Sequence, residues 1–182
     1  MTKVPNKANT LALFNEMKRD KRKITMITAY DFAMAQTVAA SDIDLILVGD
    51  SLGMVVLGYD NTLMVKMEDM VYHAAAVRRG APEAFIIADM PYLSYHLDAL
   101  QTKQNAAELI INGKANAVKL EGGSASRLDA IRKIVDIEIP VCAHLGLTPQ
   151  SVHRYGGYKV QGKTPEEHEA IFIQAQAVEQ AG

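Results

Sequence analysis

The chain has 182 residues, with 19 Lys and Arg against 21 Asp and Glu. That length fits one domain with a sizeable buried core, and the near-neutral balance leaves no electrostatic footprint for nucleic acid or an anionic membrane surface. A single cysteine, Cys142, excludes an internal disulfide framework, no apolar run approaches the roughly 18 residues of a membrane span, and the N-terminus lacks an apolar stretch of signal-peptide length, so the reading is a cytoplasmic protein.

In chain order, residues 10–23 read as an opening helix with Leu11, Leu13, Phe14 and Met17 on one face. Its basic cluster, Lys18, Arg19, Lys21, Arg22 and Lys23, is short and interrupted by Asp20, as in a solvated helix face. Residues 24–30 form a strand candidate and 31–40 have helical composition. The run Leu45-Ile46-Leu47-Val48-Gly49 reads as a strand buried on both faces. Residues 67–79 predict a helix, with Arg78 and Arg79 at its negative end and Gly80 as terminator. The alternation continues with strands at 85–88, 117–120 and 140–145 and helices at 102–111, 126–135 and 165–181. Five strand-helix units in a row predict an α/β fold with a parallel sheet and right-handed crossovers. The connections 50–65 and 146–163 are long enough to expect function there. The second holds Gly156, Gly157 and Gly162, which permit a tightly turned or mobile backbone.

Each apolar strand turns polar at its C-terminal end: Tyr30-Asp31, Asp50-Ser51, Asp89, Lys119 with Glu121, and His144. In parallel α/β folds, ligands bind outside the carboxyl ends of the strands. No strand is followed by a Gly-x-Gly-x-x-Gly turn, so an open dinucleotide-binding sheet is disfavoured and a barrel favoured. Several of these residues also have structural readings. Asp31 and Ser51 could cap helices or turns, and His144 could be a satisfied core histidine. Lys119 and Glu121 lie two apart on one strand face and read either as a salt bridge to each other or as part of a site. Asp50 and Asp89 each follow a strongly apolar strand directly, and Met90-Pro91 disfavours an immediate helix after Asp89. Two carboxylates at a barrel mouth suggest a hard divalent cation acting as Lewis acid on an oxyacid. No Cys/His spacing supports structural zinc.

The blocks Leu47-Val48-Gly49-Asp50-Ser51-Leu52-Gly53-Met54, residues 73–79 with Gly80-Ala81-Pro82, Val118-Lys119-Leu120-Glu121-Gly122-Gly123, and His144-Leu145-Gly146-Leu147-Thr148-Pro149-Gln150-Ser151 resemble the ketopantoate hydroxymethyltransferase family. So do Thr28-Ala29-Tyr30-Asp31 and the loop 156–163, in the family's order. The resemblance implies a (β/α)8 barrel of the phosphoenolpyruvate/pyruvate-binding type and a homo-oligomer, usually a decamer. It implies transfer of a hydroxymethyl group from 5,10-methylenetetrahydrofolate to 3-methyl-2-oxobutanoate, giving 2-dehydropantoate on the route to pantothenate. Residue by residue, Asp50 and Asp89 match the family's Mg²⁺ ligands and Glu121 a residue at the metal through water. Ser51 and Lys119 match contacts to the keto acid, and His144 a position near the same site. The implied mechanism is Mg²⁺-stabilised enolate attack on the folate's methylene carbon.

Residues 1–182 are expected to form one partial barrel domain, with about the first five βα units and an N-terminal helix. The family's proposed general base, a glutamate on the next strand, has no counterpart up to Gly182, so no catalytic residue is assigned. The chain alone is expected to be inactive, or a fragment that only binds keto acid. The alternative enzyme is an isocitrate-lyase-like Mg²⁺-dependent lyase of the same superfamily. Those lyases carry a reactive cysteine in a Lys-Cys-Gly-His-type block, where this chain has Val141-Cys142-Ala143-His144.

Overall fold

The computed structural model describes residues 9–182, so the reading of the first eight residues lies outside the described part. Five strands, β1 (Met26–Thr28), β2 (Leu45–Val48), β3 (Phe85–Asp89), β4 (Ala117–Glu121) and β5 (Val141–His144), form one wholly parallel sheet in the order 1-2-3-4-5. Sequential order with a helix in every crossover is the winding of a (β/α) barrel, here five successive strands of one.

Strand pairing sorts the side chains onto two faces. Leu45 lies opposite Phe85, Ile87 opposite Ala117, Asp89 opposite Lys119, Lys119 opposite Cys142, and Glu121 opposite His144. Because side chains alternate along a strand, all of these share the inner face. Ile46, Val48, Ile86, Ala88, Val118 and Leu120 share the outer face and are buried under helices. That helical layer is α2 (Phe32–Ala39), α4 (Met67–Gly80), α5 (Ala99–Ile111), α6 (Ala125–Val135) and α8 (Pro165–Ala181), packed neighbour on neighbour. Met70, Val77, Leu109, Ile131 and Ile134 fill the space between the layers, each side chain contributing about 1.5–3 kcal/mol by burial.

The inner face has a separate plug. Helix α1 (Leu11–Arg19) is capped by Thr10, whose hydroxyl accepts from Leu13 N at 3.2 Å. It sets Phe14 and Met17 against Phe85, Ile87 and Ala117, with Phe14 edge-on to Phe85 at 5.1 Å between ring centroids. These partners lie toward the N-terminal ends of their strands, so the C-terminal ends are left to the polar residues.

Several expectations need correction. β2 is not buried on both faces: Leu45 and Leu47 are half-buried, because they point inward rather than into the helical layer. Leu11 is exposed, and α1 ends at Arg19, with Lys21 in the left-handed region. α5 begins a turn earlier than predicted because Asp98 caps it, accepting from Gln101 N at 2.8 Å. Gly80 lies in the last turn of α4, where a β-carbon would strike the Phe32 carbonyl; it permits close packing of α4 on α2 and does not terminate the helix. The first long connection holds α3 (Leu52–Val55) and a 3-10 turn (Thr62–Met64); the second holds a 3-10 turn (Pro149–Ser151) and α7 (Val152–Tyr155). Among the described residues no helix is long and apolar enough to cross a membrane.

Candidate active site

At the C-terminal end of the sheet, Asp50, Asp89 and Glu121 are buried and Lys119 nearly so. The Asp89 carboxylate accepts from the Asp50 backbone N–H at 3.0 Å, which places the β2 and β3 ends side by side. Gly49 makes this approach possible: a β-carbon there would lie 2.9 Å from Ser51 Oγ and 3.4 Å from Asp89 Oδ2. Lys119 Nζ lies 2.8 Å from both Asp89 oxygens, with its hydrogen bond directed at Oδ2. Lys119 therefore pairs with Asp89 across the strands, and the reading of a salt bridge to Glu121 is corrected. Glu121 instead accepts from Gln150 N at 2.9 Å and lies 3.3 Å from His144 Nδ1. His144 is half-exposed, and its Nδ1 lacks a well-formed hydrogen bond, so it is not a satisfied core histidine.

Ser51 starts α3 but makes no capping bond; its hydroxyl pairs with Tyr30 OH at 2.9 Å. Asp31 takes the capping role, accepting from Met34 N at 2.7 Å. Gln150 was not singled out in the sequence, yet it ties the site together. Its Nε2 donates to Asp50 Oδ2 at 2.8 Å and to the Met90 carbonyl at 3.0 Å, while its Oε1 accepts from Tyr95 OH at 2.6 Å. Tyr95 OH in turn accepts from Glu121 N at 3.1 Å. The available signal was a long amide directly after the largely apolar stretch Leu145-Gly146-Leu147-Thr148-Pro149.

The electrostatics are those of excess buried negative charge. Burial, and then the neighbouring Asp89 charge, push Asp50 up to about 7. Burial raises Asp89 against the opposing pull of Lys119. Burial works to lower Lys119, but the Asp89 carboxylate outweighs it and holds the ammonium charged. Three buried carboxylates thus face one nearly buried ammonium, which lies against both oxygens of Asp89. An all-oxygen donor set with excess buried negative charge fits a hard divalent cation such as Mg²⁺. Among the described residues no three His, Cys, Asp or Glu side chains converge as a ready-made ligand set. Asp50 and Asp89, held side by side, are the residues that could hold the ion. Cys142 faces inward beside Lys119, and burial raises its thiol, the opposite of an activated nucleophile.

A cleft of about 430 Å³ opens beside this cluster, sharing Glu121 and Gln150 with it and extending along Tyr92, His96, Arg127 and Arg154. The segment 156–163 rises at the same end, where Tyr158 OH reaches Met54 Sδ at 3.5 Å.

The fold is like that of a solved member of the phosphoenolpyruvate mutase/isocitrate lyase superfamily. A 2,3-dimethylmalate lyase of that superfamily superposes with a TM-score of 0.67 at 15% identity, over 94% of this chain and 60% of its own. A phosphonopyruvate hydrolase, solved in complex with oxalate and Mg²⁺, gives 0.69 at 13% identity, over 94% and 59%. Sequence narrows the class: the ketopantoate hydroxymethyltransferase profile matches residues 8–182, and the chain belongs to that enzyme family. The 3-methyl-2-oxobutanoate hydroxymethyltransferase of Thermoanaerobacter sp. (strain X514) is 56% identical over 97% of this chain, and that of Geobacter metallireducens 50% over 97%. The chain spans 64% and 66% of the lengths of these two curated relatives.

Proposed function

We propose that the protein transfers a hydroxymethyl group from 5,10-methylenetetrahydrofolate to 3-methyl-2-oxobutanoate, giving 2-dehydropantoate for pantothenate synthesis, as a cytoplasmic homo-oligomer. The observation that carries this reading is the shared inner face of Asp89, Lys119, Glu121 and His144, with Asp50 held against Asp89, in a chain of this family. Mg²⁺, held by Asp50 and Asp89, would supply Lewis-acid polarisation of the keto group.

The protein's own groups account for binding and orientation. Lys119 holds Asp89 with part of its donor capacity and keeps the rest for the keto acid's carboxylate. Ser51, fixed by Tyr30, offers that carboxylate a second donor. Gln150 keeps Asp50 and Glu121 aimed at the same space. Pre-set donors of this kind hold a substrate in reactive geometry without reorganising during the reaction.

The test uses the native protein purified from its source cells. Calorimetry should show Mg²⁺-dependent binding of 3-methyl-2-oxobutanoate that is lost in Asp89→Asn. Supplying methylenetetrahydrofolate should yield 2-dehydropantoate, detected by mass spectrometry. Keto acid binding indifferent to both Mg²⁺ and Asp89, or no product, would overturn the reading.

A further inference from the structure

His73 belongs to α4, in the outer helical layer, and no step so far has used it. Its Nδ1 lies 2.5 Å from the Tyr30 carbonyl oxygen. A carbonyl only accepts, so Nδ1 carries the proton and donates. That oxygen falls between the end of β1 and the Asp31 cap of α2, and among the described residues no backbone N–H reaches it. His73 thus satisfies a carbonyl that the chain leaves over where it turns from strand to helix. A second contact braces the same corner. Gly80, two turns further along α4, packs so closely on the Phe32 carbonyl that a β-carbon there would strike it. The position of Tyr30 is therefore set from α4 and not by the strand alone.

The Tyr30 side chain carries that position into the site. It is buried, and among the described residues its hydroxyl has one partner, Ser51 Oγ at 2.9 Å. Two hydroxyls bonded to each other share one proton between them and leave one O–H over. The phenol is the more acidic and so donates, which leaves the Ser51 O–H for a ligand. Ser51 Oγ and Asp89 Oδ2 both border the space over Gly49, where no side chain intrudes. We propose that His73 is a positioning residue for the keto acid: by holding the Tyr30 backbone it sets the Tyr30 hydroxyl, and through it aims the Ser51 O–H at the substrate's carboxylate. The inference rests on the function proposed above and adds to it a support reaching from the outer helices to the substrate.

The experiment titrates 3-methyl-2-oxobutanoate into the native protein and its variants by calorimetry, with Mg²⁺ saturating and thermal melts as the check of folding. His73→Ala and Tyr30→Phe should each weaken keto acid binding about fivefold, the order of one hydrogen bond. His73→Asn, whose amide nitrogen stands about where Nδ1 does, should keep wild-type affinity. Mg²⁺ affinity, measured without keto acid, should be unchanged in all three. In a Ser51→Ala background neither His73→Ala nor Tyr30→Phe should weaken keto acid binding further, because their effect runs through the missing hydroxyl. A purely structural His73 would lower the melting temperature and leave the affinity of the folded protein alone. Wild-type keto acid affinity in folded His73→Ala overturns the proposal, as does a loss of the same size with and without Ser51. Should His73→Ala melt below the working temperature, His73→Leu, which refills the space without a donor, takes its place. Tyr30→Phe keeps the buried ring, and unchanged affinity in it overturns the proposal by itself. Each of these results leaves the function standing; failure of the wild-type protein to bind the keto acid overturns both.

Discussion

Gln150 donates to Asp50 Oδ2 at 2.8 Å across one hundred positions of sequence. The bond closes the barrel mouth from the loop after β5 back to the end of β2, and the same residue's backbone N–H fixes Glu121. Two carboxylates from the ends of different strands are thereby held by one residue. Replacing Gln150 with Leu would leave Asp50 Oδ2, the Met90 carbonyl and Tyr95 OH short of partners in a buried setting. The expected loss is about 3 kcal/mol of unfolding free energy, read by urea denaturation. Mg²⁺ affinity at neutral pH should fall as well, since the lost bond is one that favours ionised Asp50. A Gln150→Leu protein as stable as wild type, with unchanged Mg²⁺ affinity, would remove Gln150 from the site.

Lys119→Ala separates two roles. Without Mg²⁺ it leaves Asp89 buried without its counter-ion, which should cost about 3–5 kcal/mol. With Mg²⁺ the outcome differs, because a positive charge near the cation has been removed. Mg²⁺ should bind at least as well as before and restore much of the stability, while keto acid affinity falls. Titration calorimetry separates the two ligands. Unchanged keto acid affinity would make Lys119 a structural residue.

Asp50 gives a pH signature with a definite sign. Its ordinary value is 3.8 and its folded value about 7, so between them the native state binds more protons than the unfolded chain. Stability from this group is present at low pH and is lost as pH rises toward 7. Metal-free protein should therefore show a downward stability slope over about pH 4 to 7 that flattens in Asp50→Asn. Added Mg²⁺, which binds the ionised form, should stabilise the wild type more at pH 8 than at pH 5.5. Parallel stability profiles for wild type and Asp50→Asn would contradict this.

Much of this architecture is written in local pattern. The apolar strands β2 to β4 and the long helices are legible because apolar periodicity and caps act within a few residues, as with Asp31 and the Thr164 box that starts α8 at Pro165. The polar strand ends were legible for the same reason: a charge ending an apolar run stands out. What the pattern could not give is who meets whom. Lys119 and Glu121 share a face, but the register beside Asp89 decides that Lys119 pairs there. Gln150 and Tyr95 escaped notice because neither carries a charge and both act through contacts made only on folding.

Segment 156–163 should behave as a cover over the mouth. It is largely exposed and contains three left-handed glycines, Gly156, Gly157 and Gly162. The Tyr158 contact to Met54 is its tie to the loop after β2. Hydrogen exchange should be fast here in the free protein and slower with Mg²⁺ and keto acid bound. Rates already slow in the free protein, and unaffected by ligand, would argue against closure.

At the opposite end of the sheet, Arg78 should matter for stability alone. From α4 its Nη1 donates to the carbonyls of Pro82 at 2.9 Å and Ala84 at 2.7 Å, and its Nε to Lys114 at 3.0 Å. Its Nη2 donates to Asn116 Oδ1, which also accepts from Ile86 N. One guanidinium thus joins the end of α4 to the entries of β3 and β4, where sequence reading saw only a favourable charge at a helix terminus. Burial lowers its pKa from the free value, but a guanidinium stays charged at any working pH. Arg78→Ala would strand several carbonyls, and a loss of about 3–4 kcal/mol is expected from charge-assisted bonds of this kind. Arg78→Lys should recover only part of it, because an ammonium cannot span the same carbonyls in one plane. In a barrel the N-terminal end of the sheet serves stability and the C-terminal end serves ligands, so keto acid and Mg²⁺ affinities of the still-folded protein should be unchanged. Urea denaturation and calorimetry on the same samples check this. Ligand affinity falling in Arg78→Lys, with stability intact, would reverse the assignment.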